Sequence, residues 1–238
     1  MSRVCFIFKR KMPLAYISHL DMLRLFLRAL SRSRLPLAFS QGYNPHPRLA
    51  LALPLPLGVT AAEEYGEIYF SETIQPEQFI NTLSPQLPSA LELRGAFGVA
   101  LDKPSLASLV GAAQYLATLK CEPGNEVNFE LVQASLKRLM ARKEIMVQRK
   151  TKKKKTTYTN VRPYIIKAEI INRNDDEPLV LSLLLQAGSR GGISPFFLLE
   201  QLESDPAAEG IISCKWQLHR ERILINQKGI LQPLSEGM

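Results

Sequence analysis

Apolar and polar positions along this chain change period often, and each change marks an expected element. Residues 4–11 (VCFIFKRK) are rich in strand formers and end in charge, which predicts a short strand. After Pro13, Ser18 stands as a helix N-cap, and Asp21 lies three residues on, where a capping box wants a carboxylate. Leu20, Leu23, Leu27 and Leu30 then recur at spacings of three and four, with Met22 and Phe26 widening the stripe, so a helix is expected through Ser33. Residues 37–39 and 49–53 predict short strands on either side of a proline-rich corner, and 67–70 (EIYF) predict a third. A helix opening at Pro76 and a strand over 91–100 complete the first half.

The second half repeats that order. Residues 114–121 alternate like a strand, 129–143 carry a helical stripe through Leu131, Leu136, Leu139 and Met140, and 144–149 are extended. Strands are expected over 164–171 and 179–186, a helix over 194–202 with Ser194 as its cap, and a last strand over 216–225. The expected fold class is therefore α+β: two tandem ferredoxin-like (β-α-β-β-α-β) units with antiparallel sheets, over residues 1–108 and 109–238. The halves repeat an order of elements, not a sequence.

Composition adds the class. Hydrophobic residues make 46% and charged residues 22% of 238, as in ordinary globular proteins. Three separated cysteines (Cys5, Cys121, Cys214), each within an apolar run, favour free reduced thiols in a cytoplasmic protein; no spacing suits a cysteine-bound zinc or iron–sulfur cluster. No membrane segment, metal or cofactor is expected. The net charge of +8 is unevenly placed: residues 1–60 hold nine Lys/Arg against one acid, 61–135 are acidic, and 136–155 hold ten Lys/Arg against one acid. Two basic blocks that met in space would make a phosphate-binding surface.

Three stretches carry candidate chemistry. YISHLDMLRLFLRAL joins Tyr16, His19 and Asp21 to a ladder of Arg24, Arg28 and Arg32 at a helix entry, where unpaired N–H groups attract anions. The structural alternative is that Asp21 pairs with Arg24 and favours the helix dipole. SQGYNPHPR, residues 40–48, combines Gly42, which tolerates positive φ, with Pro45 and Pro47, which stiffen the backbone. The expected result is a rigid loop displaying Gln41, Tyr43, Asn44 and His46, suited to stacking on bases and reading their edges or equally to capping a sheet edge, with Arg48, Arg24 and Arg28 to meet phosphates. Lys152, Lys153, Lys154 and Lys155 lie in a hairpin loop expected over 149–157, and Arg162 follows at a strand entrance. A glycine-rich turn at 188–192 fits no nucleotide fingerprint.

YISHLDMLRLFLRAL, LPLAFSQGYNPHPRLALALPLPLGV, NVRPYI and GSRGGISP together resemble the radical-SAM-linked protein family, a domain of uncharacterised function found alone or fused behind radical SAM proteins. His19, Asp21, Arg24, Arg28, Ser40, Gln41, Gly42, Asn44 and Pro45 match its signature. Asn160, where an acid is common, and Gly191–Gly192, where Arg–Pro is frequent, depart from it. The resemblance implies an accessory role beside a radical SAM partner, which must supply any cluster. The expected function is an RNA- or ribonucleoprotein-binding module that presents substrate and has no catalytic residues of its own. Two alternatives stand beside it: a metal-independent endoribonuclease using Tyr16 and His19 with Lys9 or Lys11, and a protein–protein adaptor.

Overall fold

The computed structural model describes residues 1–122, 127–150, 156–172, 178–205, 214–227 and 229–234. Its elements are β1 (Ser2–Arg10), α1 (His19–Ser33), β2 (Leu49–Leu51), β3 (Thr60–Phe70), α2 (Pro76–Leu83), β4 (Leu91–Val99), a short α3 (Leu106–Leu109), β5 (Val110–Lys120), α4 (Phe129–Ala141), β6 (Met146–Lys150), β7 (Thr156–Asn160), β8 (Ile165–Ile170), β9 (Val180–Gln186), α5 (Pro195–Glu203), β10 (Lys215–Gln227) and β11 (Ile230–Pro233). The chain is α+β and forms two compact units. The first holds Met1–Gly111 together with His219–Met238, and the second holds Ala112–Leu218. Placing all of 109–238 in one unit therefore misses that the end of β10 returns to the first.

In the first unit the strand order is β4-β1-β3, with β2 on the far side of β3, and all these pairings are antiparallel. Val4, Phe6 and Phe8 of β1 and Ile68 and Phe70 of β3 meet Met22, Phe26, Ala29 and Leu30 of α1 and Phe79 and Leu83 of α2. Four phenylalanines form the centre, with ring centroids 5.3 Å apart for Phe6–Phe26, 5.0 Å for Phe8–Phe26 and 5.5 Å for Phe6–Phe79, in tilted or edge-on contacts. Helix α1 keeps its expected cap: Asp21 N–H donates to Ser18 Oγ at 3.1 Å. Its buried stripe, however, is Met22, Phe26, Ala29 and Leu30, whereas Leu20 is exposed.

Gly66 is a packing requirement. A Cβ built there would lie 2.3 Å from Phe6 Cζ, well inside contact distance, and Phe6 is locked among three other rings. Gly66→Ala should destabilise the unit by about 1–3 kcal/mol, the ordinary cost of overpacking, read as a lowered midpoint of thermal unfolding. An unchanged midpoint would show that the ring can yield.

Not every pairing in the first unit is antiparallel, as the sequence suggested. β10 joins β3 in parallel, with His219 opposite Thr60 and Arg220 opposite Ala61, and β11 then pairs antiparallel with β10. A hairpin forces antiparallel pairing, but a strand arriving after a long connection is free to run either way.

The second unit orders its strands β10-β5-β9-β8, with β5–β9 and β8–β9 antiparallel. β9 buries Leu181, Leu183 and Leu185 in strict alternation, and α4 and α5 contribute Val132, Leu136, Leu139, Leu198, Leu199 and Leu202 to the interior. β6 and β7 form a separate two-stranded sheet. Arg149 and Lys150 lie within β6, and Thr156 and Thr157 within β7, so these four positions of the loop expected over 149–157 are strand instead. Lys152–Lys155 lie outside the described residues.

The cysteines also depart from expectation. Cys121 and Cys214 are joined in a disulfide, their Cα atoms 4.3 Å apart and 93 residues apart in sequence, while Cys5 is free and buried. The second unit brings the end of β5 beside the start of β10, a proximity that sequence spacing does not reveal.

Candidate functional site

The proline-braced loop is a small hairpin docked on β3. Ser40 N–H donates to His46 O at 2.8 Å, His46 N–H donates to Ser40 Oγ at 3.1 Å, and Ser40 Oγ lies 2.9 Å from His46 Nδ1. One step outward Arg48 N–H donates to Ala38 O at 2.9 Å. Ala38 N–H donates to Tyr69 O at 2.9 Å, and Tyr69 N–H donates to Arg48 O at 3.1 Å, which fixes both arms to the strand. Gly42 turns the tip with φ +133°, a conformation that side chains disfavour.

With its backbone thus occupied, the loop leaves Gln41, Gly42, Tyr43, Asn44 and His46 exposed, and Tyr43 is fully so. Arg48 is held in place: its guanidinium carbon sits 3.8 Å from the centroid of the Tyr69 ring. Phe39, at the base of the hairpin, is also mostly exposed. The surface therefore offers a free aromatic ring, amide and imidazole groups, and a stacked cation.

The α1 residues divide. Asp21 accepts hydrogen bonds from Ser18 Oγ at 2.7 Å and from Arg24 Nη1 at 2.8 Å, and these bonds hold its carboxyl below the usual range. Both Asp21 and Arg24 are thus committed to the helix start, as the structural alternative foresaw. Arg28 is exposed, and Arg32 reaches Gln86 O at 2.6 Å. Tyr16 projects into solvent beside Gly58, whereas His19 is half-buried in a recess. In the second unit Arg162 is spent on backbone: its Nε and Nη2 donate to Met140 O at 3.2 and 2.9 Å, and its Nη1 to Ile165 O at 3.0 Å. It clamps α4 to β8 and belongs to a different unit from the loop.

Sequence reasoning missed the buried charges of the first unit. Arg3 donates to Glu67 Oε2 at 2.5 Å and to the carbonyls of Lys103 and Pro104, each at 2.8 Å; Glu67 also accepts Leu106 N–H at 3.1 Å and so starts α3. Arg220 donates through Nε to Glu64 Oε1 at 2.6 Å and through Nη2 to Glu64 Oε2, and further to Leu53 O and Pro54 O. Arg10 gives Nε to Leu14 O at 2.9 Å and Nη2 to Ala15 O and Ile17 O at 2.9 and 2.8 Å. Burial pushes the Glu64 carboxyl up, against the pull of Arg220 and Arg10, but the two-pronged contact uses both oxygens as acceptors and so requires the ionised form. The available signal was three acids, Glu63, Glu64 and Glu67, inside an eleven-residue strand, of which Glu64 and Glu67 are buried.

No helix among the described residues is long and apolar enough to cross a membrane, and among those residues no group of His, Cys, Asp and Glu could hold a metal ion. No curated protein matches the chain at a significant level. Among solved structures it is similar to a chain of the crystal structure of a Cbf5-Nop10-Gar1 complex, at 11% identity and a TM-score of 0.47, over 92% of this chain and 49% of that one. The present chain thus spans about half the length of that neighbour. Residues 3–195, which span β1 through β9, match the family described as an uncharacterized protein conserved in bacteria (DUF2344), and the chain belongs to that family.

Proposed function

We propose that the chain is a non-catalytic docking module that binds RNA or a ribonucleoprotein and presents it to a partner enzyme, of the radical SAM class by the sequence resemblance. Two ferredoxin-like units would form its scaffold: the strand orders β4-β1-β3-β2 and β10-β5-β9-β8 each support that description. The observation that carries the reading is the 40–48 hairpin. Its own hydrogen bonds hold the backbone, so Tyr43 and its polar neighbours are displayed at little further entropic cost. A ring with both faces free stacks on any base, and a stacked arginine beside it meets phosphate. Arg28 and the Lys152–Lys155 run would add sequence-independent charge.

A mobility-shift titration with single-stranded RNA tests this. Binding should weaken steeply between 50 and 200 mM salt. Tyr43→Ala should weaken it by about 5- to 150-fold, corresponding to ~1–3 kcal/mol for one stacked base. Weak binding with no salt dependence removes the RNA proposal and leaves a protein adaptor. Cleavage of the RNA in chelator, lost in His19→Ala, would replace it with the endoribonuclease.

A further inference from the structure

The first unit has a recess at the N-terminal end of α1, lined by Arg10, His19 and Glu64 above Phe8, Met22 and Leu55. It holds about 220 Å³ of space, part of it open to solvent. That is below the range of pockets that enclose whole metabolites, so whatever enters does so with one end.

The charges around this floor do not close. Arg10 is only 3% exposed, and its Nε and Nη2 are committed to three carbonyls; among the described residues its Nη1 has no hydrogen-bond partner and no carboxylate within ion-pair distance, and it is left open toward the recess. The nearest acid, Glu64, gives both oxygens to Arg220. Arg10 is therefore a buried guanidinium with no carboxylate in contact with it among the described residues, an arrangement that is costly without an anion. Among the described residues the His19 ring likewise makes no hydrogen bond. His19 is also the first residue of a fifteen-residue helix, whose unpaired N–H groups and dipole favour negative charge. The one acid in that first turn, Asp21, is neutralised by Ser18 and Arg24.

We propose that the recess is a site for an oxyanion end group, a phosphate or carboxylate terminus, one oxygen of which enters beside His19 and accepts a hydrogen bond from Arg10 Nη1. The His19 ring supplies a second donor, and the apolar floor excludes the rest of the ligand. Burial and the Arg10 charge hold the His19 pKa below its ordinary value. A bound anion reverses that: it stabilises the imidazolium, so His19 gains a proton as the anion binds. The charged groups facing it are Arg10 from β1, Glu64 from β3 with its partner Arg220 from β10, and Asp21 on α1 itself. The site lies outside the 40–48 hairpin and stands or falls independently of RNA binding.

The test is a pH titration of the three histidine side chains by NMR, in sodium chloride, sodium phosphate and sodium acetate at matched ionic strength. Phosphate should raise the apparent pKa of His19 by about one unit relative to chloride while leaving His46 and His219 unmoved. If acetate acts as phosphate does, the site takes oxyanions in general; if only phosphate acts, its source is a phosphate ester. A His19→Gln variant, at a half-exposed position that should leave the fold intact, should lose the extra thermal stabilisation that phosphate gives over chloride. Equal behaviour in all three salts, a joint shift of all three histidines, or phosphate stabilisation retained in His19→Gln would each overturn the proposal.

Discussion

Glu64→Gln should lower the unfolding free energy of the chain by about 3–5 kcal/mol, the usual result of removing one partner from a buried ion pair. The reason is what the substitution leaves behind. Arg220 and Arg10 are both buried, and the Glu64 carboxylate is bonded to Arg220 and also attracts Arg10. Without it, the guanidinium of Arg220 loses its two-pronged carboxylate contact and keeps the carbonyls of Leu53 and Pro54. The neutral amide has the same shape, so the loss is electrostatic and not a cavity effect. Equilibrium urea unfolding followed by circular dichroism measures it. Replacing both partners with apolar residues, as Glu64→Leu with Arg220→Met, should be less damaging than Glu64→Gln alone, because Arg220 is then not left as a charge stripped of its carboxylate and only the attraction on Arg10 is lost. A double variant that is worse than the single would show that the pair's value lies in the loop carbonyls that Arg220 gathers. Since Arg220 fixes 53–54 and Arg10 fixes 14–17, both flanks of the His19 recess depend on these two side chains.

How far the sequence foretold this molecule depended on whether the relevant interaction was local. The capping of α1 by Ser18 and Asp21, the stiff turn at Gly42 and the exposure of Tyr43 follow from neighbours within a few residues, and all were legible. The buried face of α1 was not. Residues 20, 22, 23, 25, 26, 27, 29 and 30 are all apolar, so two stripes overlap, and only the sheet decides that Met22 and Phe26 go inward while Leu20 stays out. The paired carboxylates lay further out of reach. Glu64 meets an arginine 156 residues away and Glu67 one 64 residues away, and neither separation has a periodicity to betray it. The same holds for the parallel seating of β10 on β3. His19 was singled out from its motif, but its neighbour Arg10 read as part of a charged strand end and proves to be buried. Arg162 failed in the opposite sense: a lone arginine at a strand entrance resembled a phosphate contact and is consumed by two backbone carbonyls.

The second large effect concerns the Cys121–Cys214 bridge, which encloses most of the second unit between its two ends. Closing a loop of 93 residues removes enough freedom from the unfolded chain to stabilise the folded one by about 4–5 kcal/mol in the chain-entropy description. Cys121→Ala with Cys214→Ala, or reduction of the wild type, should therefore lower the unfolding midpoint of the second unit sharply and leave the first unit's nearly unchanged. The two are separable by hydrogen exchange, since β9 amides report the second unit and β1 amides the first. Thiol labelling gives an independent reading. Cys5 is buried and its thiol is pushed up to about 12, chiefly by burial, so it should resist alkylation in the folded protein. Native protein treated with a mild reductant should accordingly take up label at Cys121 and Cys214 and not at Cys5. Labelling of both cysteines without reductant would mean that the thiols stand free in that preparation, and the second unit's stability would then have to come from its leucine-rich interior alone. Equal stability of the oxidised and reduced forms would instead show that the unfolded segment between the cysteines is already compact, because a chain that has lost its freedom for other reasons gains nothing from the bond.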